Sequence, residues 1–131
     1  MRYKTASETM LRKARQKYAL AELSYQKGLY DSCVSELYYS AFQTVTALIL
    51  LRGDSVSNKH TSVRSWVNKQ LGLTGLLSND LVKVYNRLMD RRADADYSAE
   101  VSFGKDDVSG LMEQVKAFND AVVEIIKKEM Q

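Results

Sequence analysis

The chain has 131 residues, with nineteen lysine and arginine side chains against sixteen aspartates and glutamates, for a net charge of +3. That length predicts a single domain spanning 1–131, large enough to bury a core without disulfide or metal staples. The mild basic excess permits contact with RNA or nucleotide phosphates, but it excludes the basic block of a dedicated DNA binder.

Proline breaks helix interiors and is absent, so an all-helical chain is expected. Leu11, Ala14, Tyr18, Ala21 and Tyr25 recur at three- and four-residue steps. That apolar stripe predicts a first helix from about Ser7 to Lys27, ended by Gly28. A second helix opens at Tyr30 or Asp31 and lasts to about Arg52. Val34, Leu37, Tyr38, Ala41, Val45, Leu48 and Ile49 form its main face, while Tyr39, Phe42 and Leu50 add apolar surface on other sides. A helix apolar nearly all round is buried by several neighbours, so this is the predicted central helix. Cys33, the lone cysteine, falls on it and reads as a small buried residue. No intrachain disulfide can form, which fits a reducing cytoplasm.

Gly53-Asp54-Ser55 is a turn signal, and Ser57-Asn58 can cap the next helix. That short third helix is expected over about Lys59 to Leu71, burying Val63, Trp66 and Val67. Gly72 and Gly75 bracket a loop. Ser78 or Asn79 caps a fourth helix, with Leu81, Val84, Tyr85, Leu88 and Ala95 facing inward, and it decays near Tyr97. Residues 98–105 read as a loop. Asp106 or Asp107 caps a fifth helix, whose Val108, Leu111, Met112, Val115, Phe118, Val122, Ile125 and Ile126 form the cleanest stripe in the chain. Lys127 and Lys128 at its end complement the helix dipole. The expected fold is all-α, an up-and-down antiparallel bundle of about five helices. No run of about 18 consecutive apolar residues predicts a membrane span. The first residues are charged and amphipathic rather than signal-like, so a cytoplasmic protein is expected.

Chemistry concentrates at the end of the fourth helix. Met89-Asp-Arg-Arg-Ala-Asp-Ala-Asp-Tyr97 packs two arginines, three aspartates and a tyrosine into nine residues. Arginine suits phosphate because its planar fork donates two parallel hydrogen bonds. Arg92 and Asp96 also stand at helical spacing and can simply pair, worth roughly 0.2–0.5 kcal/mol. Asp90 and Asp94 share a face, but two surface carboxylates without a histidine do not make a metal site. No metal or cofactor is expected, and the six glycines lie in turns rather than in a phosphate loop. His60, the sole histidine, stands beside Lys59 at the start of the third helix. Its bland alternative is a local hydrogen bond at that helix start. Tyr38 and Tyr39 point to different faces of the second helix. At least one is core, and their apolar bodies with polar tips also suit a dimer interface.

Four segments carry a family resemblance: Gly28-Leu-Tyr-Asp-Ser-Cys-Val-Ser-Glu-Leu-Tyr-Tyr-Ser-Ala41, Leu48-Ile-Leu-Leu-Arg-Gly53, Asn58-Lys-His-Thr-Ser-Val63 and Arg92-Ala-Asp-Ala-Asp-Tyr97. In this order and at these separations they resemble the small stand-alone prokaryotic HEPN-domain proteins (higher eukaryotes and prokaryotes nucleotide-binding). The resemblance covers roughly Gly28 to Ile126. It implies a helical bundle that homodimerises, with motif-bearing helix ends from two subunits lining a shared cleft. Ribonuclease members cut RNA without a metal, through an Arg-x(4–6)-His motif. Their usual antitoxin is a minimal nucleotidyltransferase, and some of these adenylylate a tyrosine near the motif. Other HEPN domains only bind nucleotides or act as scaffolds.

Arg92 matches the motif arginine, and Tyr97 stands where the histidine would be. Tyrosine titrates near pH 10 and is a poor base at neutral pH. The expectation is therefore a homodimeric RNA- or nucleotide-binding module, part of a toxin–antitoxin-type pair with a minimal nucleotidyltransferase, with little or no catalysis. Arg91, Arg92, Lys59, Asp96 and Tyr97 are its candidate binding residues, and Tyr38 and Tyr39 its candidate interface. The alternative is an active metal-independent ribonuclease toxin using Arg92 with His60 or Tyr97. A second alternative is a scaffold dimer without a ligand.

Overall fold

The computed structural model describes residues 2–131, with side chains from Tyr3 onward. Five helices succeed one another: α1 (Arg2–Gln26), α2 (Tyr30–Arg52), α3 (His60–Trp66), α4 (Asn79–Tyr97) and α5 (Lys105–Glu129). No strand occurs among the described residues. The all-α bundle expected from the apolar periodicity is the fold observed.

α2 is the centre of the bundle, with α1, α4 and α5 all packed on it. Cys33, Val34, Leu37, Tyr38, Ala41 and Val45 are wholly inaccessible along its length. By length and composition alone α2 is apolar enough to cross a membrane. Its neighbours cover it instead, which is why its sequence is apolar on nearly every side. An aromatic ladder crosses the core from α2 through α4 to α5. Tyr38 lies 6.1 Å from Tyr85, and Tyr85 lies 5.4 Å from Phe118, ring centre to ring centre.

α1 starts well before Ser7, the predicted helix start. The early turns dock through a polar contact that no apolar pattern reveals: the buried Ser7 hydroxyl donates to the Ala47 carbonyl at 2.8 Å. Gly53 closes α2 in the left-handed region at φ 69°, and the Tyr3 ring packs where its Cβ would be, 3.3 Å away.

α3 does not stop at Leu71. It widens into a π-helical stretch over Val67–Leu73, so Gly72 lies inside the helix rather than just past it. This widened helix keeps both Val67 and Leu71 in the core. It also turns Asn68 onto α4, where the Asn68 and Asn86 amides exchange two hydrogen bonds at 3.1 and 3.0 Å.

Ser78 caps α4, its hydroxyl accepting from the Leu81 N–H at 3.3 Å. α5 is capped two residues before Asp106 and three before Asp107, the two predicted caps. Gly104 takes the cap position, and Asp107 sits one turn inside, accepting the Gly104 N–H at 3.2 Å. The preceding loop is tied to α2, because the Phe103 N–H donates to the Asp31 carboxylate at 3.1 Å.

Candidate functional site

Tyr38 on α2 joins the two groups with the most chemistry to offer. Its hydroxyl stands 2.6 Å from His60 Nδ1. Its ring lies under the Arg92 guanidinium, 5.2 Å from the guanidinium carbon. Tyr39 extends the platform, 5.9 Å from the same carbon. Phe42, one turn along α2 from Tyr38, packs against His60 with ring centres 4.8 Å apart. Three aromatic side chains of α2 thus hold the first residue of α3 and the last turns of α4 in one place.

Arg92 is poorly satisfied for a residue so covered. Only 13 % of its side chain is exposed, and its one ion pair, to Asp96 Oδ2, is long at 3.6 Å. Its Nε is buried without a hydrogen-bond partner. Asp96 is itself shared with the Ser35 hydroxyl at 3.4 Å. A guanidinium stays protonated at any physiological pH, so covering it without full pairing is costly. An anion could be met only by the exposed part of the side chain, since Nε itself is closed off.

His60 is held neutral. Burial lowers its pKa below the ordinary 6.5, and the Arg92 charge lowers it further. Burial moves the Tyr38 phenol the other way, above its ordinary 10.0. Tyr38 therefore keeps its proton, and the hydroxyl–imidazole contact has two tautomeric settings. Either Tyr38 donates and Nε2 carries the ring's hydrogen, or Nδ1 donates and Nε2 is free to accept a proton. The Tyr85 hydroxyl neighbours that of Tyr38 but finds no partner in hydrogen-bonding geometry, and burial pushes its pKa far up.

A second arginine, Arg64, stands behind this group, one turn along α3 from His60. It is fully engaged: Nε donates to Asn86 Oδ1 at 2.9 Å, and Nη1 reaches Asp90 at 3.2 Å. Its charge still acts on Tyr38 and Tyr85. Sequence reasoning passed over Arg64 and treated Phe42 only as apolar surface. The signal for both was spacing, since Arg64 shares a helix face with His60 and Phe42 shares one with Tyr38.

The structure divides the sequence candidates. Arg92, Asp96, His60, Tyr38 and Tyr39 converge. Arg91 does not, because it points to a separate cleft of about 360 Å³ lined by Phe103 and Asp107. Lys59 is exposed at the α3 cap position. Tyr97 is 79 % exposed and projects from the end of α4. Tyr38 is wholly buried inside its own subunit, so of the two interface candidates only the half-buried Tyr39 reaches the surface. A groove of about 420 Å³ between α1 and α5 shares no residue with this cluster, and its Lys116 is already paired with Asp120.

Comparison with known proteins places the chain among relatives. The HEPN domain family matches residues 7–126. A UPF0332 protein of Thermotoga maritima is 33% identical over 116 residues, covering 88% of this chain and 87% of the relative. A protein of Methanocaldococcus jannaschii, named as a candidate toxin, is 30% identical over 118 residues, covering 90% of this chain and 80% of the relative. A UPF0332 protein of Archaeoglobus fulgidus is 29% identical over 113 residues, with 85% and 87% covered. The match runs from the first turns of α1 to the last of α5 and takes in all the helices that meet at Tyr38. The chain belongs to the HEPN-domain family.

Proposed function

We propose that this HEPN domain binds RNA or a nucleotide through Arg92, as a homodimer with a cleft shared between subunits, and that it works with a minimal nucleotidyltransferase in a toxin–antitoxin-type pair. One observation carries the reading. Arg92 is a covered, permanently charged fork with a long ion pair and an unpartnered Nε, laid on two tyrosine rings. The two rings hold the guanidinium in position, and a held fork suits bidentate phosphate recognition. The M. jannaschii relative, named as a candidate toxin, supports the toxin side of the reading. Titration of a mixed RNA at rising salt tests it: binding weakens with salt and falls in Arg92→Ala.

A second reading, a metal-independent ribonuclease, is favoured by the position of His60. The tautomer with Nδ1–H donating to Tyr38 leaves Nε2 as a base for the ribose 2′-hydroxyl, with Arg92 at the phosphate. It ranks second because the ribonuclease motif places a histidine where this chain has Tyr97, and a phenol is a poor acid–base group at neutral pH. Tyr97 is 79 % exposed at the end of α4, and a phenol titrating near pH 10 is a poor base at neutral pH. Its exposure suits adenylylation by a partner nucleotidyltransferase.

A further inference from the structure

Asp96, expected among the binding residues, lies where an anion at Arg92 would have to sit. Its Oδ2 is 3.6 Å from Arg92 Nη1, and the Ser35 hydroxyl donates to the same oxygen at 3.4 Å. Both contacts are long. The guanidinium has a separate support in the Tyr38 and Tyr39 rings, 5.2 and 5.9 Å from its carbon, so its position does not depend on Asp96. Asp96 also lines a polar cleft of about 300 Å³ together with Asp31 and Glu36. Asp31 accepts the Phe103 N–H, and Glu36 accepts the Ser24 hydroxyl. Of these three carboxylates, only Asp96 is paired with a cation among the described residues.

We propose that Asp96 is an internal competitor: its carboxylate occupies Arg92 in the free protein and must be displaced before a phosphate binds there. The proposal rests on the anion-binding role proposed for Arg92. A carboxylate and a phosphate ask the same of a guanidinium, charge-assisted hydrogen bonds from its fork. Asp96 is tethered one turn away on the same helix, so it competes at a high effective concentration without being tightly held. The pair is displaceable, because an ion pair at this spacing and distance contributes little. Displacement is still opposed, because the released carboxylate faces Asp31 and Glu36 across the cleft with no cation to offset them. A simple monoanion offers Arg92 nothing that Asp96 does not already supply. A phosphate of RNA or of a nucleotide brings more acceptor oxygens, and the rest of the ligand adds contacts of its own. Asp96 thus sets which anions reach Arg92 and how tightly they are held.

The test is calorimetric titration of the full chain with inorganic phosphate and with a mixed RNA oligonucleotide. The proteins are wild type, Asp96→Asn, Asp96→Glu, Asp94→Asn and Arg92→Ala. Asp94→Asn removes the same charge from the same helix without touching the Arg92 pair. Asp96→Asn should bind both probes roughly fivefold more tightly, the upper scale of a single ion pair. Asp94→Asn should gain clearly less. Asp96→Glu keeps a carboxylate within reach of the fork and should stay near wild type. In wild type, the NMR signal of the Asp96 carboxyl carbon should move with added phosphate, in step with that of the Arg92 Nε–H. Equal gains from Asp96→Asn and Asp94→Asn would reduce Asp96 to diffuse charge and overturn the proposal. Weaker binding by Asp96→Asn than by wild type also overturns it, and would make Asp96 a ligand contact instead. Phosphate binding that leaves the Asp96 carbon unmoved would mean that the anion sits beside the pair rather than in its place. In each of these three cases, loss of binding in Arg92→Ala leaves the anion site standing. No binding of either probe by wild type or by Asp96→Asn defeats the phosphate reading and the competitor together.

Discussion

The Tyr38 hydroxyl and His60 Nδ1 stand 2.6 Å apart, tying the buried middle of α2 to the first residue of α3. The same tyrosine carries the Arg92 guanidinium on its ring. Histidine and arginine therefore share one support, and the charge state of one alters the other.

The first consequence is a pH dependence. His60 titrates below 6.5 in the folded chain, through burial and then through the Arg92 charge. Between that lowered value and 6.5 the unfolded chain binds more protons than the folded one. Stability therefore falls as pH drops through 6.5, and the loss levels off below the folded pKa. In Arg92→Gln the repelling charge is gone, so the His60 pKa should rise. A bound phosphate should raise it too, so phosphate affinity increases toward acidic pH. NMR titration of the single imidazole reads all three effects. A His60 pKa above 6.5 in the free protein would contradict the observed packing.

Two tyrosine-to-phenylalanine changes should differ in sign. Tyr38→Phe removes the partner of His60 Nδ1 and leaves a half-buried polar atom unpaired, a loss of about 1 kcal/mol. Tyr85→Phe removes a buried hydroxyl that makes no hydrogen bond, so its expected effect is nil or stabilising by up to about 1 kcal/mol. Urea unfolding of both variants beside wild type decides the point. A Tyr85→Phe variant clearly less stable than wild type would show that the two hydroxyls are paired after all.

Arg92 should not be replaceable by lysine. Arg92→Ala is expected to lower RNA affinity and to reduce the slope of log affinity against log salt by about 1, with helical content unchanged. Arg92→Lys keeps the charge but loses the planar fork and its stacking on Tyr38 and Tyr39, so it should recover only part of the binding. Arg91→Ala, altering a residue in a different cleft, should have the smaller effect. Equal losses from Arg91→Ala and Arg92→Ala would point to diffuse charge rather than a built site.

The bundle was legible because burial writes a period into the sequence. Val108, Leu111, Val115, Phe118, Val122 and Ile126 of α5 are the stripe and are also the buried face. The early start of α1 was not legible, because Ser7 docks it through a hydroxyl and hydroxyls leave no periodic trace. The π-helical turns at Val67–Leu73 were hidden for a related reason, since Gly72 reads as a terminator when only local preferences are weighed. At the site, Arg92 was found through its local motif. Its distance to His60 was not legible, because it depends on how α3 and α4 pack on Tyr38. The same packing separates Arg91 from Arg92, neighbours in sequence of which one lines the Phe103 cleft and the other lies on the Tyr38 ring.

The homodimer is tested by mass. Sedimentation at micromolar concentration should give about twice the chain mass of 14.9 kDa. Of the adjacent tyrosines on α2, Tyr39 is the one available for contact, and Tyr39→Ala should weaken association more than a change at the buried Tyr38 can do without unfolding the core. A clean monomer at all concentrations would sink the shared cleft.

Catalysis is decided by cleavage of a mixed RNA without added metal, using wild type, His60→Ala, Arg92→Ala and Tyr97→Phe. Little or no cleavage is expected from the isolated protein. The motif position for histidine holds Tyr97, 79 % exposed at the end of α4, and a phenol has the wrong acidity for proton transfer at neutral pH. Robust cleavage abolished by both His60→Ala and Arg92→Ala would promote the ribonuclease reading and identify His60 as the working histidine. That activity should then rise with pH through the lowered His60 pKa and flatten above it, since a base must be unprotonated to act. Cleavage lost only in Tyr97→Phe would mean that the tyrosine hydroxyl is used directly. In that case Tyr97 would also be the first residue to test for a gain in mass after incubation with a nucleotidyltransferase and ATP.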